Sequence, residues 1–253
     1  MAHFRTPGRL MLVLVLLTGL AACGGNTPGP VSDAGIFDPY ETQNRKVHAF
    51  NRGLDRALVR PAAIGYSSVL PDEIEDSIGH FASNLGEPSV AINSLLQGDL
   101  RGAGLSTVRF LTNSTLGIFG LADVAAEFKL PEHDTDFGET LHVWGVGEGA
   151  YLELPVLGPS TTRDTTGMVV DLFTNPLSYV IDEPERYYGT GAGVASGLSA
   201  RGRFTDTVDS ILYESADSYA QARLIYLQNR RFELGADDPG TDIDPFALDT
   251  EGF

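Results

Sequence analysis

The sequence is poor in cysteine and in positive charge. Its single cysteine, Cys23, excludes an intramolecular disulfide and any zinc site built from several cysteines. Only 17 lysines and arginines face 34 aspartates and glutamates, so the formal charge is −17 and the basic stripe that nucleic-acid phosphates require is absent. At 253 residues, 42% of them hydrophobic, the chain is long enough for one large domain or two small ones.

Motifs of catalysis are also lacking. No serine lies in a Gly-x-Ser-x-Gly sequence, and Gly145-x-Gly147-x-Gly149 has the wrong spacing for a dinucleotide fingerprint. The nearest approach to a metal-ligand cluster, in a polar turn where a solvated loop is favoured over a ligand set, is His133, Asp134 and Asp136. We therefore predict no catalytic residue, no metal and no cofactor, and an enzyme only if its residues are scattered along the sequence.

The N-terminus has the pattern of a lipoprotein signal peptide. Arg5 and Arg9 precede an apolar stretch of 11 residues, which is too short to cross a bilayer and is followed by small residues. Leu20-Ala21-Ala22-Cys23 resembles the lipobox of bacterial lipoproteins, in which the peptide is cleaved before the cysteine and the cysteine is acylated. The alternative is an ordinary secretory signal with a coincidental cysteine.

We predict a signal peptide at residues 1–22 and a lipidated, flexible Gly/Pro tether at 23–36, with Cys23 as the lipid-attachment site. Two or more acyl chains hold a protein durably on a membrane. Gly24 follows the cysteine where an aspartate would retain the protein at the inner membrane, so by resemblance to Gram-negative sorting rules the destination is the outer membrane. Cleavage removes Arg5 and Arg9 and leaves a formal charge of −19.

Amphipathic helices separated by glycine and proline make up the rest of the mature chain. The first predicted helix has Asp38 as its N-cap and Pro39 at its first position, and it ends at Pro61. Further helices are predicted over about 72–85, 89–96, 165–179 and 205–232, with a stop and cap at Gly98-Asp99. The acidic residues 234–253 are predicted to be a disordered tail.

Thirteen consecutive uncharged residues, 110–122, lie between Arg109 and Asp123. As a helix they would extend about 20 Å, which is enough for one leaflet but not for a hydrocarbon core of about 30 Å. The residues alone favour a buried helix–turn–helix core. The alternative is a leaflet-facing surface, helical because backbone groups exposed to lipid need partners. Its apolar side chains are Phe110, Leu111, Leu116, Ile118, Phe119 and Leu121.

The segment 143–155 places β-forming residues around Gly147 and Gly149. This pattern indicates either a small hairpin or a mobile loop. The two glycines are equally compatible with a plain tight turn.

Many short motifs in fixed order resemble the MlaA/VacJ family of outer-membrane lipoproteins over residues 37–233. They include Asp38-Pro39, Asn44-Arg45, Phe50-Asn51, Asn84-Leu85-Gly86-Glu87-Pro88, Asn93, Leu96-Gln97-Gly98-Asp99, Arg109-Phe110, Asn113, Leu116-Gly117, Asp123, Phe137-Gly138, Gly145-Val146-Gly147, Leu154-Pro155 and Arg163-Asp164. Two departures are Ala150, where the family often has proline, and the tail, which matches nothing in the family.

The resemblance implies an all-α fold: a ring of amphipathic helices around a central amphipathic channel, with a small Gly-rich hairpin, lying in the periplasmic leaflet of the outer membrane. It implies no enzymatic activity. It implies removal of mislocalised phospholipids from the outer leaflet and their transfer to a periplasmic lipid-carrier protein, with trimeric outer-membrane porins as further partners. By the same resemblance, the loop of Gly147 and Gly149 tunes the channel, and Phe50 and Asn51 help hold the ring against the outer leaflet.

Two rival functions stay open. One is a porin-associated structural lipoprotein that conducts no lipid. The other, further from the sequence pattern, is an envelope lipid hydrolase.

Overall fold

The computed structural model describes residues 36–235, apart from the side chain of Arg186. The predicted signal peptide, Cys23 and nearly all of the tether and acidic tail lie outside these residues, so they remain predictions. Residues 1–39 and 40–253 form two separate units, and the following account concerns the second. None of its described helices is long and apolar enough to cross a membrane.

A single helical stretch opens the unit. It consists of α1 (Glu41–Leu54), a π-helical turn (Asp55–Val59) and α2 (Arg60–Val69). The predicted ends were wrong: α1 begins after Tyr40, whose carbonyl accepts the first helical N–H groups, and the helix continues through Pro61. Proline is tolerated there because it sits within the first turn of α2, next to a π-helical turn that already disturbs the regular i→i−4 bonding.

The next two helices form the centre of the unit. Residues 72–97 form one helix, α3 (Asp72–Gln97), instead of the two predicted, and Pro88 lies inside it. Proline withdraws an N–H and disturbs the preceding turn, and there the Leu85 carbonyl accepts a hydrogen bond from the Asn175 side chain at 2.8 Å. The predicted stop and cap are confirmed: Gly98 is left-handed (φ 81°), and the Asp99 carboxylate accepts N–H bonds at the start of α4 (Leu100–Thr115).

The remaining elements are short, apart from three helices. These elements are α5 (Val124–Glu127), α6 (Phe137–Val143), β1 (Tyr151–Leu154), β2 (Gly158–Thr161), α7 (Thr162–Thr174), α8 (Leu177–Val180), α9 (Arg186–Arg203), α10 (Thr205–Asp209), a second π-helical turn (Ser210–Glu214) and α11 (Ser218–Glu233). The three longer helices are α7, α9 and α11. The strands pair antiparallel, with Tyr151 opposite Thr161. The prediction of an all-α fold with one small hairpin is confirmed, but the glycine-rich loop precedes the hairpin and does not form its turn.

Helix α9 was not predicted, because its glycines lower helix propensity. One of them explains its packing: a Cβ on Gly202 would clash with the Ser67 hydroxyl, so glycine permits the close approach of α9 to α2. The single helix predicted over 205–232 is instead divided at residues 215–217, where the Asp217 side chain caps α11.

The interior of the unit is polar to an unusual degree. Its buried charged side chains include Glu75, Glu87, Arg109, Arg163 and Asp164, whereas large apolar side chains are exposed along most helices. Soluble proteins bury apolar residues and almost never bury charges without partners. The distribution of polar and apolar side chains is therefore inverted relative to that of a soluble protein, and apolar side chains collect on parts of the surface.

Candidate functional site

Helix α4 shows the inversion most clearly. At 100° per residue, Leu100, Val108 and Leu111 share one face, and their exposed fractions are 75%, 47% and 55%. Ser106, Arg109 and Asn113 share the opposite face, and they are 0%, 3% and 4% exposed. The apolar face of this helix thus points outward, and its polar face packs against the protein.

The polar face is held by a buried network centred on Arg109. Its guanidinium donates to Glu87 Oε1 at 2.9 Å, to Asp123 Oδ2 at 3.0 Å and to the Leu130 carbonyl at 2.7 Å. The Asn113 amide donates to Asp123 Oδ1 and accepts the N–H of Ala125. Buried charges are tolerated when they are paired and hydrogen-bonded on all sides.

The two carboxylates of this network respond to burial differently. Burial raises the pKa of Glu87, and the hydrogen bond and positive charge of Arg109 do not fully offset that rise. Burial would also raise the pKa of Asp123, but hydrogen bonds from Asn113 and Arg109 outweigh it and hold that pKa below its ordinary value. Asp123 therefore keeps its negative charge to a lower pH than Glu87 does.

The uncharged segment 110–122 follows α4 onto the surface. Only its first part is helical: after Thr115 the chain forms a turn in which Ile118 (φ 53°) and Phe119 (φ 59°) are left-handed. The expectation of a continuous helix was wrong, and the backbone is instead satisfied locally by bonds such as Gly120 N–H to the Asn113 carbonyl. Left-handed conformations in bulky residues store strain.

The large apolar side chains of this segment are not core residues. Leu111, Leu116, Ile118, Phe119 and Leu121 are exposed, Phe119 by 74%, and Phe110 is half-buried. The interpretation of the segment as a buried helix–turn–helix core is therefore wrong. The exposed set forms an apolar tip continuous in sequence with the outer face of α4.

The glycine-rich loop has one unconstrained position. Gly145 ends α6 in the left-handed conformation (φ 86°), and its N–H donates to the His142 carbonyl. Gly149 is also left-handed (φ 74°), and a Cβ there would lie 3.0 Å from the Thr162 side chain. Gly147 has neither property, and a Cβ there would meet nothing within 4 Å.

Phe50 and Asn51 lie on α1 beside the hairpin. Phe50 is exposed, at 55%. The Asn51 side chain donates to the Leu154 carbonyl at 2.9 Å and accepts the N–H of Val156 at 2.8 Å, so it fixes the hairpin turn. This contact is a structural role that the sequence did not reveal.

A serine–histidine–glutamate set joins α11, α1 and β1. His48 Nε2 lies 3.0 Å from Ser218 Oγ, and Nδ1 lies 3.3 Å from Glu153 Oε1. This order is that of a hydrolase triad. However, Ser218 is 7% exposed and borders neither of the cavities described below. With a proton on Nδ1, His48 donates to Glu153 and accepts from Ser218, and the set ties three elements together.

A cavity of about 420 Å³ lies between α3, the segment around α8 and the start of α9. Its wall combines apolar side chains (Ala82, Leu85, Leu177, Ile181) with polar ones (Asn175, Ser178, Thr190, Tyr187) and one carboxylate (Glu185). This volume lies in the range of small-molecule sites, and such a mixed wall suits an amphipathic ligand. A second cavity of about 320 Å³ borders Arg109, Lys129 and Glu132.

The region 36–235 contains no group of three or more His, Cys, Asp or Glu side chains able to hold a metal. Of the cluster considered in the sequence, His133 lies 3.5 Å from Asp99. Its two neighbours in that cluster diverge, since Asp136 pairs with Arg230 and Asp134 is exposed.

The sequence did not predict that Arg109 joins Glu87 and Asp123 in one network. A signal for it existed, because Arg109 and Asp123 are the charged residues that bound the uncharged segment on either side.

Comparison with known proteins identifies relatives over nearly all of the described chain. The family model for the MlaA lipoprotein matches residues 36–233. The intermembrane phospholipid transport system lipoprotein MlaA of Escherichia coli is 34% identical over 227 residues, 88% of this chain and 86% of that protein. Its Haemophilus influenzae counterpart is 32% identical, with 88% of each chain covered. An uncharacterised protein of Rickettsia felis is 38% identical over 74% of each.

A solved structure resembles this chain as well. It comes from work on the structural basis for maintenance of bacterial outer membrane lipid asymmetry. It aligns with a TM-score of 0.67 and 35% identity, covering 78% of this chain and 98% of that one.

Proposed function

The chain belongs to the MlaA lipoprotein family, and on that premise we propose that it removes mislocalised phospholipids from the outer leaflet of the outer membrane. It passes them to a periplasmic lipid-carrier protein and so maintains lipid asymmetry. It performs no covalent chemistry on them. Trimeric porins are its partners in the membrane.

The observation that carries this proposal is the inverted helix α4. Its outward face and the tip that follows it expose Leu100, Leu111, Leu116 and Phe119, while Arg109 is buried behind them. In water such exposure would cost about 25 cal/mol for each Å² of apolar surface. Among acyl chains that cost vanishes, and the polar network then forms the sheltered interior. The arrangement supports a domain that lies within one leaflet.

Anchoring is assigned to Cys23 and to the apolar surface. A chain with a formal charge of −19 after cleavage is not attracted to anionic head groups by coulombic forces. Acyl chains on Cys23 hold the domain, at 37–233, to the periplasmic leaflet through the tether, and the apolar tip buries itself between lipids.

The lipid path is assigned to a central channel within a ring of helices. The mixed wall of the cavity of about 420 Å³ supports such a path, because acyl tails need apolar walls and head groups need polar ones. The loop at Gly147 and Gly149 tunes its opening, and the Phe50-Asn51 region holds the ring against the outer leaflet.

The test is deletion of the gene in its own host. Phospholipid in the outer leaflet is measured by its accessibility to an outer-leaflet acyltransferase or an added phospholipase. We expect accumulation in the deletion strain, restoration by the wild-type gene, and poor restoration by Cys23→Ala, which should appear in the soluble periplasm. Unchanged outer-leaflet phospholipid in the deletion strain would overturn the transport function and leave the porin-associated scaffold. Full membrane retention of Cys23→Ala would contradict the anchor.

A further inference from the structure

Backbone contacts fix the glycine-rich loop on both sides of one residue. On the N-terminal side, the Val146 N–H donates to the Leu141 carbonyl at 2.9 Å and seals the end of α6. On the C-terminal side, the Glu148 and Ala150 carbonyls accept the N–H groups of Arg163 and Thr162, at 3.3 and 2.9 Å. Gly147 is the residue left between these two anchored segments.

The side chain of Glu148 leads to the C-terminal helix. Both of its carboxylate oxygens accept hydrogen bonds from Arg231 on α11, from Nε at 2.9 Å and from Nη2 at 3.0 Å. The two side chains are 29% and 23% exposed, so water only partly screens the pair. A two-pronged contact fixes orientation as well as distance.

The same turn of α11 holds the elements on either side of the loop. Arg230 lies 2.7 Å from Asp136, which caps α6 before the loop, and 3.4 Å from Asp164 at the start of α7 after the hairpin. At the end of α11, Arg230 therefore contacts the elements before and after the loop, and Arg231 contacts the loop itself.

We propose that Arg231 is a positioning residue for the glycine-rich loop: through Glu148 it sets where the chain beyond Gly147 rests, and hence how far the lipid path is open. This inference rests on the proposed function for its consequence, but its structural part stands on the ion pair alone. Rotation at Gly147 then moves α6 and the anchored segment 148–150 relative to one another. Arg231 restrains that movement.

A charge exchange tests the proposal. Arg231→Glu and Glu148→Arg each break the pair, and the double variant restores it with the charges reversed. Arg231→Gln is a milder variant without new repulsion. Arg203→Glu is the matched control, because it makes the same charge change at a residue that pairs with Asp76 and Glu75 on α3 and not with the loop.

Two measurements are made. In purified protein carrying Cys23→Ser and a spin label at Gly147→Cys, where a Cβ has open space, electron paramagnetic resonance reports loop mobility. In cells with the native Cys23, outer-leaflet phospholipid reports lipid removal, and protein level and thermal midpoint are followed alongside.

We expect each single variant to shorten the label's correlation time at least two-fold and to raise outer-leaflet phospholipid at least five-fold. The double variant should return both to within two-fold of wild type, and Arg203→Glu should change neither. Unchanged mobility in the single variants overturns the inference whatever the lipid result. Looser loops with normal lipid removal overturn the role of Arg231 in transport. If the wild-type gene itself removes no lipid while mobility changes as expected, the proposed function fails and the positioning of the loop by Arg231 stands.

Discussion

Arg109 and Asp123 bracket the uncharged segment 110–122 in sequence, and the fold joins them in an ion pair: Arg109 Nη2 donates to Asp123 Oδ2 at 3.0 Å. The pair closes the base of the exposed apolar tip. Charge is thereby gathered on the inner side, and most of the apolar side chains between the two residues face outward. The ion pair thus helps explain how the exposed apolar side chains of this segment are carried on a defined backbone.

Replacing Arg109 should destabilise the domain strongly. Arg109→Ala leaves the buried Glu87 and the half-buried Asp123 without their cation, and breaking a buried pair costs about 3–5 kcal/mol. Chemical denaturation of the full chain in detergent micelles measures the change. Arg60→Ala is the control, because Arg60 is more exposed and its partner Asp209 keeps Arg201. Equal losses for the two variants would contradict the central role of the Arg109 network.

The two loop glycines should respond oppositely to alanine. Gly149→Ala forces a Cβ into a left-handed residue beside Thr162 and should destabilise by about 1–2 kcal/mol. At Gly147 a Cβ has open space and φ is ordinary. The free energy of unfolding of Gly147→Ala should therefore change by less than about 1 kcal/mol, and we expect it to rise. Thermal unfolding of both variants checks this, and a larger loss at Gly147 would refute it.

Stiffening the unconstrained position should impair function without lowering protein level. Gly147→Pro fixes φ and removes an N–H that takes part in none of the loop's backbone hydrogen bonds. We expect phospholipid to accumulate in the outer leaflet while immunoblots show normal amounts. Normal lipid removal by this variant would return both glycines to simple turn residues.

Acid should weaken the contacts of α11. An Arg45 hydrogen bond lowers the pKa of Asp217 to about 2, and although burial would raise the pKa of Asp164, hydrogen bonds from Thr161 and Tyr226 and the charge of Arg230 lower it. A carboxylate with a lowered pKa in the folded state stabilises above its unfolded pKa, near 3.8, and the contribution is lost as pH falls through the folded value.

The free energy of unfolding should therefore hold steady from pH 7 to about 5 and decline from about pH 4 towards 2. Asp217→Asn should be less stable at pH 7 and show a shallower decline. Denaturant titrations across this range measure both. A rise in the free energy of unfolding as the pH falls from 5 to 3 would show that these carboxylates do not control stability at acid pH.

Ser218 should have no part in covalent chemistry. Ser218→Ala should leave lipid removal intact and cost roughly 1–3 kcal/mol, because it removes the hydrogen bonds of Ser218 Oγ with His48 and Arg52. Incubation of the purified protein with phospholipid vesicles, followed by lipid mass spectrometry, should detect no lysolipid. Lysolipid that disappears in Ser218→Ala would establish the hydrolase instead.

Local patterns predicted the elements whose ends depend on local chemistry. Gly98 and Asp99 were identified as stop and cap because a left-handed glycine and a capping carboxylate act within one turn. Pro61 and Pro88 misled for the same reason: proline disfavours a helix locally, but packing against the rest of the unit keeps both helices continuous. Helix α9 was missed because glycines that weaken an isolated helix are what allow it to approach α2.

The features of the candidate site also divide into local ones that the sequence predicts and distant contacts that it does not. The sequence shows which side chains of 110–122 are apolar. It does not show the bond between Arg109 and Asp123, because these residues are 14 positions apart and their contact depends on how the turn folds. The contacts of Asn51 with the hairpin and of Arg231 with Glu148 join residues 83 to 105 positions apart. No periodicity reports such distant partners.

The amino-acid sequence by itself determined that the helices are two-faced, that positive charge is scarce and that the one cysteine follows residues resembling a lipobox. Periodicity in α4 already separates Leu100, Val108 and Leu111 from Ser106, Arg109 and Asn113. Which of the two faces lies inside was decided only by the tertiary structure. The preference of an apolar face depends on what surrounds it, and water drives it inward while acyl chains leave it outside. The tertiary structure turns Arg109 inward, towards Glu87 and Asp123, and leaves the apolar face of α4 exposed.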